Sequence, residues 1–190
     1  MSILGIFKMP KPVNITGRTS SITNAFVNGI IPCIIPTEKE LVQALSILGL
    51  SEKDLRCAYC GDKATEWDHL RPLVKDKRPT GYISEIHNLV PACGKCNQSK
   101  GNKSWKDWIL SEAGLSPKSR GVLGLSDKIK RLEQYEKWKE VKPIDFELIA
   151  GVEVWEQHWK NHEQLLMTMK KYQKLSNKIR EKIQASHSNI

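Results

Sequence analysis

The chain has 190 residues, 30 of them Lys or Arg against 21 Asp or Glu, which gives a formal net charge of +9. Its 39% hydrophobic content is too high for a disordered chain, and the length fits one compact domain or a small domain with a helical extension. The longest apolar run, at 30–35, contains Pro32, which excludes a membrane-spanning helix. The first 12 residues lack the features of a secretory signal, so we expect a cytoplasmic protein.

The N-terminal third of the sequence predicts irregular structure followed by one helix. Gly, Pro, Ser and Thr punctuate residues 1–36, which favours loops and short extended pieces, and we interpret Cys33 there as a small buried hydrophobe. Thr37 is then a helix N-cap, with Glu40 at the capping-box position. The apolar residues from Leu41 onwards recur at helical spacing until Gly49 ends the run.

The C-terminal half predicts helices with few interruptions. Ser104 opens a short Trp-containing helix, and the amphipathic run 126–139 is ended by Pro143. From Val152 to Ile183 the apolar pattern is helical almost throughout, which indicates a long helix that carries many lysines. We therefore predict an α+β chain that is mainly α.

The cysteines carry the first chemical signal. Four of the five form two Cys-x-x-Cys pairs separated by 32 residues, namely Cys57 with Cys60 and Cys93 with Cys96. Two such pairs provide the four thiolates of a tetrahedral structural zinc site, and disulfides are disfavoured without an export signal.

Polar residues suited to phosphodiester hydrolysis lie inside or against this zinc frame. His69 is the natural general base, since imidazole is neutral near pH 7. Asp68 and Asn97 offer oxygen ligands for a hard cation such as magnesium or manganese, and zinc would fix Asn97 through its neighbour Cys96. Asn88 has both donors and an acceptor with which to brace the loop that carries His69.

Three details stay open at this level. Neighbours on a regular strand point to opposite faces, so Asp68 and His69 reach one site only if the backbone bends. Glu66 lies two residues before Asp68, where it could share its strand face and act as a further ligand. His87 is a metal ligand, a phosphate contact or a surface residue, and the surface interpretation leads.

The order of these residues over 57–103 resembles that of the zinc-framed HNH (ββα-metal) endonucleases. The order is Cys-x-x-Cys, Asp-His, Asn, Cys-x-x-Cys-Asn and x-x-Lys. The resemblance implies strands near 65–70 and 87–91 and a helix after Cys93. It also implies Asp68 and Asn97 as catalytic-metal ligands, His69 as the base, Asn88 as the brace, Lys100 as a basic residue near the site and the four cysteines as the zinc set. We predict three regions, an N-terminal segment with one helix at 1–50, a zinc-framed nuclease core at 51–113 and a helical region at 114–190.

Basic residues around the motif predict a nucleic-acid contact surface, because runs of Lys and Arg beside a nuclease site can meet phosphates. The residues expected to contact DNA are Arg71, Lys75, Arg78, Lys95, Lys100 and Lys103.

The leading hypothesis is therefore a metal-dependent endonuclease for double-stranded DNA, of a type II restriction-like kind, with structural zinc and catalytic magnesium or manganese. If it cuts a palindromic site, a homodimer would match the symmetry, and the helix from Trp155 to Ile183 is one candidate interface. The alternatives are a non-catalytic zinc module that binds DNA, and a homing or phage-type nicking nuclease.

Overall fold

The computed structural model describes residues 10–187, which fall into two compact units. One unit is Val27–Phe146, and the other combines the residues up to Phe26 with those from Glu147 onwards. The division predicted at residues 50 and 113 stays a prediction. The first nine residues, part of the segment predicted to be irregular and to lack a signal, lie outside the described residues.

Helix α2 (Glu38–Leu48) of the Val27–Phe146 unit forms as its end signals predict. Thr37 accepts a hydrogen bond from the Glu40 backbone amide, and the Glu40 carboxylate accepts one from the Thr37 amide, which completes the capping box. Gly49 closes the helix in the left-handed conformation, with a φ of 62°. Its buried face joins a shared core with helix α5 (Leu125–Trp138) through Leu48 and Leu132.

A small antiparallel ribbon and a helix form the centre of this unit. Strand β1 (Glu66–His69) pairs with β4 (Leu89–Ala92), and α3 (Gly94–Lys100) follows β4 directly. Strands β2 (Val74–Lys75) and β3 (Arg78–Pro79) form a separate hairpin inside the long connection from β1 to β4. The ribbon and α3 agree with the predicted two strands and helix to within two residues at each end.

The remaining elements of this unit close its core. A 3-10 helix (Ile86–Asn88) precedes β4, and α4 (Trp105–Ile109) follows α3. Tyr59 and Trp108 are buried edge to face, with ring centroids 5.2 Å apart. Tyr135 of α5 donates hydrogen bonds to the carbonyls of Ile86 and Leu89, which ties the helical layer to the strand that precedes the second cysteine pair.

The second unit is helical. It contains a 3-10 turn (Ile15–Arg18), most of α1 (Thr19–Asn28), and α7 (Val152–His187), which α6 (Phe146–Ala150) precedes. Thr23 hydrogen-bonds buried His162 at 3.0 Å, and the Phe26 ring packs against the His158 and His162 rings at about 5 Å.

The class prediction is confirmed, since 53% of the structure is helical and the sheets are small. The prediction of irregular structure over residues 1–36 was wrong for α1, whose Ser-, Thr- and Asn-rich sequence has weak helix propensity and is stabilised by tertiary contacts instead. The interpretation of Cys33 as buried was also wrong, because its side chain is exposed. Across residues 10–187, no helix is both long and apolar enough to cross a bilayer.

Candidate active site

The four cysteines of the two pairs converge on one point, as their spacing predicts. The sulfur atoms of Cys57, Cys60, Cys93 and Cys96 all lie within 4.8 Å of one another. The Cys60 and Cys93 sulfurs are 3.6 Å apart, close to the ~3.8 Å edge of a tetrahedron with zinc–sulfur bonds of about 2.3 Å. Both the geometry and the all-thiol donor set therefore fit a structural zinc ion.

Local backbone structure places each cysteine pair. The first pair lies in a tight turn, in which the Gly61 amide donates to the Cys57 carbonyl at 2.8 Å and Gly61 takes a φ of 84°. In the second pair, Cys93 precedes α3 and Cys96 lies in its first turn. The guanidinium of Arg120 donates to the Cys96 sulfur at 3.0 Å, an interaction that favours the thiolate form a metal requires.

Strand β1 and helix α3 together carry the polar residues of the motif. Glu66 and Asp68, two residues apart on β1, both meet side chains of α3. Lys100 lies 3.1 Å from Asp68 Oδ2, and Asn97, one helical turn earlier, contacts Glu66. The helix that the second cysteine pair starts is thus held on the strand that carries the Asp-His dipeptide.

Asp68 is part of a buried polar cluster. It is 5% exposed and accepts a hydrogen bond from the Tyr59 hydroxyl at 2.6 Å, while Lys100 is 0% exposed. Burial disfavours the charged form of both groups, so it raises the pKa of the Asp68 carboxyl and lowers the pKa of Lys100. The Lys100 ammonium acts in the opposite direction on Asp68 and lowers its pKa. Asp68 provides a carboxylate suited to a hard cation, but it already shares that carboxylate with an ammonium group.

His69 lies on the opposite face of β1, in accordance with strand alternation. Its Nε2 is 2.8 Å from the Ser84 hydroxyl, and the Lys100 ammonium donates to the His69 carbonyl at 2.7 Å. Burial, together with the nearby Lys100 charge, lowers the pKa of His69 to about 4. The imidazole is therefore neutral at pH 7, as a general base must be.

Ser84 is itself fixed by the extended segment at 32–34. Its backbone amide donates to the Pro32 carbonyl at 3.2 Å, and its carbonyl accepts from the Ile34 amide at 2.8 Å. When Nε2 of His69 carries the proton and donates to Ser84, Nδ1 presents its lone pair. The N-terminal Pro-Cys-Ile segment, for which the sequence suggested no chemistry, thus positions a partner of the predicted base.

Asn88 makes the bracing contacts expected of it. It is fully buried, its side-chain oxygen accepts from the Arg71 amide at 2.8 Å, and its nitrogen donates to the Arg71 and Ile83 carbonyls. The Leu70 amide also donates to the Asn88 carbonyl at 2.8 Å. These bonds secure the chain directly after His69.

The residues predicted to contact DNA divide into two groups. Lys75, Arg78, Lys95 and Lys103 have exposed side chains. The expectation is corrected for Lys100, which is buried against Asp68, and for Arg71, whose side chain is 14% exposed and donates to the His87 and Glu136 carbonyls. A basic residue beside the site need not face solvent, because a buried carboxylate such as Asp68 can bind its charged group in place of a DNA phosphate.

His87 also departs from its leading interpretation. It is buried and packs on Trp138, with ring centroids 4.3 Å apart, so it is not a surface residue. Sequence reasoning missed Tyr59, Ser84 and Arg120, because each acts through a partner distant in the sequence. The one available signal was for Tyr59, which lies between the first two cysteines.

The segment that carries this site is similar to known nucleases. Residues 57–103 match the HNH endonuclease family. The chain is also 35% identical over 75 residues to a CRISPR-associated endonuclease Cas9 of Corynebacterium diphtheriae, across 36% of this chain and 6% of that protein. No solved structure matches the chain. Residues 57–103 are therefore an HNH endonuclease domain, and its four-cysteine cluster fits the zinc type.

Proposed function

We propose that this protein is a metal-dependent endonuclease that hydrolyses phosphodiester bonds of double-stranded DNA. The observation that carries the proposal is the 2.8 Å contact between His69 Nε2 and the Ser84 hydroxyl. His69 lies on β1, which pairs with the strand that leads into the second cysteine pair, and burial lowers the pKa of His69. Preorganisation of this kind is what a general base needs, since a small displacement of the base costs much of the rate.

The roles combine these contacts with the resemblance to HNH endonucleases, and they require β1 to bend so that Asp68 and His69 reach one phosphate. His69 takes a proton from the attacking water at Nδ1, while the hydrogen bond to Ser84 keeps the ring oriented. Asp68 and Asn97 would hold a magnesium or manganese ion, whose charge would stabilise the phosphate and the leaving oxygen. The exposed side chains of Lys75, Arg78, Lys95 and Lys103 would contact the phosphate backbone.

Plasmid cleavage tests this proposal. Wild-type protein and His69→Ala are incubated with supercoiled DNA and magnesium or manganese, and DNA binding is measured in parallel by mobility shift. We expect the variant to lose cleavage by at least about 100-fold, the contribution of a general base, while it binds DNA like the wild type. Binding without cleavage by the wild type would instead indicate a non-catalytic zinc module.

Within this activity we propose a type II restriction-like enzyme that acts as a homodimer. A dimer would match the two-fold symmetry of a short palindromic site, and α7, with its exposed Leu165, Tyr172 and Ile179, offers an apolar surface for self-association. A long duplex of mixed sequence tests site specificity, since discrete fragments support a site-specific enzyme and a smear contradicts it. On the supercoiled plasmid, accumulated nicked circles would indicate a nicking enzyme. Sedimentation measures the oligomeric state.

A further inference from the structure

Two polar pairs with matched spacing join strand β1 to helix α3. Glu66 and Asp68 share a strand face, and Asn97 and Lys100, three residues apart, share a helix face. Asn97 Nδ2 donates to Glu66 Oε2 at 2.8 Å, and Lys100 Nζ lies 3.1 Å from Asp68 Oδ2. Each α3 side chain therefore has its own carboxylate on the strand.

The Asn97 amide has two chemically different ends. Only Oδ1 can bind a cation, whereas Nδ2 is a donor that would repel one. An ionised carboxylate accepts hydrogen bonds and donates none, so Glu66 attracts Nδ2 and repels Oδ1. Glu66 thereby selects one of the two rotational states of the amide, and in that state Oδ1 is directed away from it.

The surroundings of Glu66 leave space for this arrangement. Its other carboxylate oxygen, Oε1, lies 3.1 Å from the position that a Cβ on Gly94 would take. Gly94 and Asn97 are one helical turn apart, so the carboxylate reaches along the first turn of α3 with no side chain at Gly94 in its way. A larger residue at that position would have to displace the Glu66 oxygen.

We propose that Glu66 is a positioning residue for Asn97: its carboxylate binds the amide nitrogen and so presents the amide oxygen as a metal ligand. The inference rests on the proposed function for the role of Asn97, while the hydrogen bond and its effect on the amide are independent of activity. Carboxylate partners of this kind orient metal ligands, and their loss weakens metal affinity about 10–100-fold.

The first test is independent of activity. NMR follows solvent exchange of the Asn97 side-chain amide protons in protein that carries the structural zinc but no magnesium or manganese. These protons are identified by their absence in Asn97→Asp. In the wild type we expect exchange slower than for exposed Asn102, and about 10-fold faster exchange in Glu66→Ala, as expected for loss of a charge-assisted hydrogen bond. Equal exchange at Asn97 and Asn102 in the wild type overturns the proposal even if Glu66→Ala folds poorly.

The second test separates positioning from direct ligation. Glu66→Gln keeps an oxygen that can accept from Nδ2, but its own amide can also donate to Oδ1, so we expect half-maximal cleavage at a magnesium concentration between those of the wild type and Glu66→Ala. Glu66→Ala should need about 10-fold more magnesium for half-maximal cleavage, with near-normal cleavage at saturating metal. Glu52→Ala, which removes an exposed acid elsewhere in the same unit, is the matched control and should titrate like the wild type.

The outcomes distinguish this inference from the proposed function. If Glu66→Gln needs as much magnesium as Glu66→Ala, an acceptor oxygen at this position does not present Asn97 and the positioning role is wrong. If Glu66→Ala titrates like the wild type, the inference fails while the nuclease proposal stands. If the wild type never cleaves DNA, the nuclease proposal fails, and the exchange measurement still decides whether Glu66 holds the Asn97 amide.

Discussion

The two compact units hold their polar residues in place by different interactions. In Val27–Phe146, short elements of four to seven residues carry the site, and four cysteines with the buried Lys100–Asp68 pair hold them together. In the other unit, the 36-residue helix α7 needs no such frame, and His162 is held by Thr23 and aromatic contacts. Short elements cannot persist alone, so the site depends on cross-links that a long helix does not require.

The two units also differ in the kinds of polar side chain that they bury. The HNH-containing unit buries a carboxylate on β1, an ammonium on α3 and an amide side chain in the 3-10 helix before β4, at Asp68, Lys100 and Asn88. Among residues 10–26 and 147–187, the buried polar side chains are the neutral Thr23 and the imidazole of His162. Buried charge is costly unless it is paired, so we expect the first unit to respond more strongly to substitution of its polar residues.

Removal of zinc should have the largest effect and should be confined to one unit. In Cys57→Ser, structural zinc binding, which is itself folding free energy, is lost, so we expect hydrogen-exchange protection to disappear across 57–109. The protection of α7 should persist. Cys33→Ser, which changes an exposed cysteine outside the cluster, is the control, and a Cys57→Ser protein with unchanged melting and exchange would contradict the zinc assignment.

Lys100→Ala should be the next most damaging change. It leaves the Asp68 carboxylate buried without its ammonium partner, which costs about 3–5 kcal/mol of unfolding free energy. Urea denaturation measures the loss. Lys103→Ala, at an exposed position three residues further along the chain, should change the unfolding free energy by less than about 0.5 kcal/mol, and equal effects of the two substitutions would contradict the buried ion pair.

Thr23→Ala tests the helical unit at a matched level. The substitution removes the hydroxyl that hydrogen-bonds His162 in a buried position, so we expect a loss of about 1–3 kcal/mol in unfolding free energy. Zinc content should not change, because the site is remote in the chain from the cysteines. A loss larger than that of Lys100→Ala would reverse the proposed difference between the units.

Single exposed lysines should have the smallest effects. Lys95→Ala removes one proposed phosphate contact, so the slope of log affinity for DNA against log salt should fall by about 1. Lys171→Ala on exposed α7 is the comparison. If only Lys171→Ala lowers the slope, the DNA-contact surface belongs to the helical unit rather than to the HNH-containing unit.

Much of the candidate site was predictable from the sequence, because its signals are local. Two Cys-x-x-Cys pairs specify one metal site almost regardless of what lies between them, and the capping box at Thr37 and Glu40 predicted α2. The HNH order predicted the strands and the helix after Cys93, and Asn88 makes the bracing contacts its amide chemistry suggested.

Whether a charged side chain faces water or the interior was not predictable, since burial depends on which residues from distant segments meet. The sequence predicts Arg71 and Lys100 as DNA contacts, yet both side chains face the interior. Arg71 donates to the carbonyl of Glu136, and Lys100 pairs with the buried carboxylate of Asp68. Helix α1 has a weak local signal and forms with aromatic partners on α7.

The sequence alone thus determined the chemistry available to this protein: four thiols, an Asp-His dipeptide, and asparagines at fixed distances along the chain. Only the tertiary structure decided how those groups are used. It turned Asp68 towards Lys100 and His69 towards Ser84, on opposite faces of one strand, and it gave Asn97 a carboxylate partner in Glu66. The physical reason is that hydrogen-bond partners are chosen by proximity in space, and proximity between distant segments is set by packing.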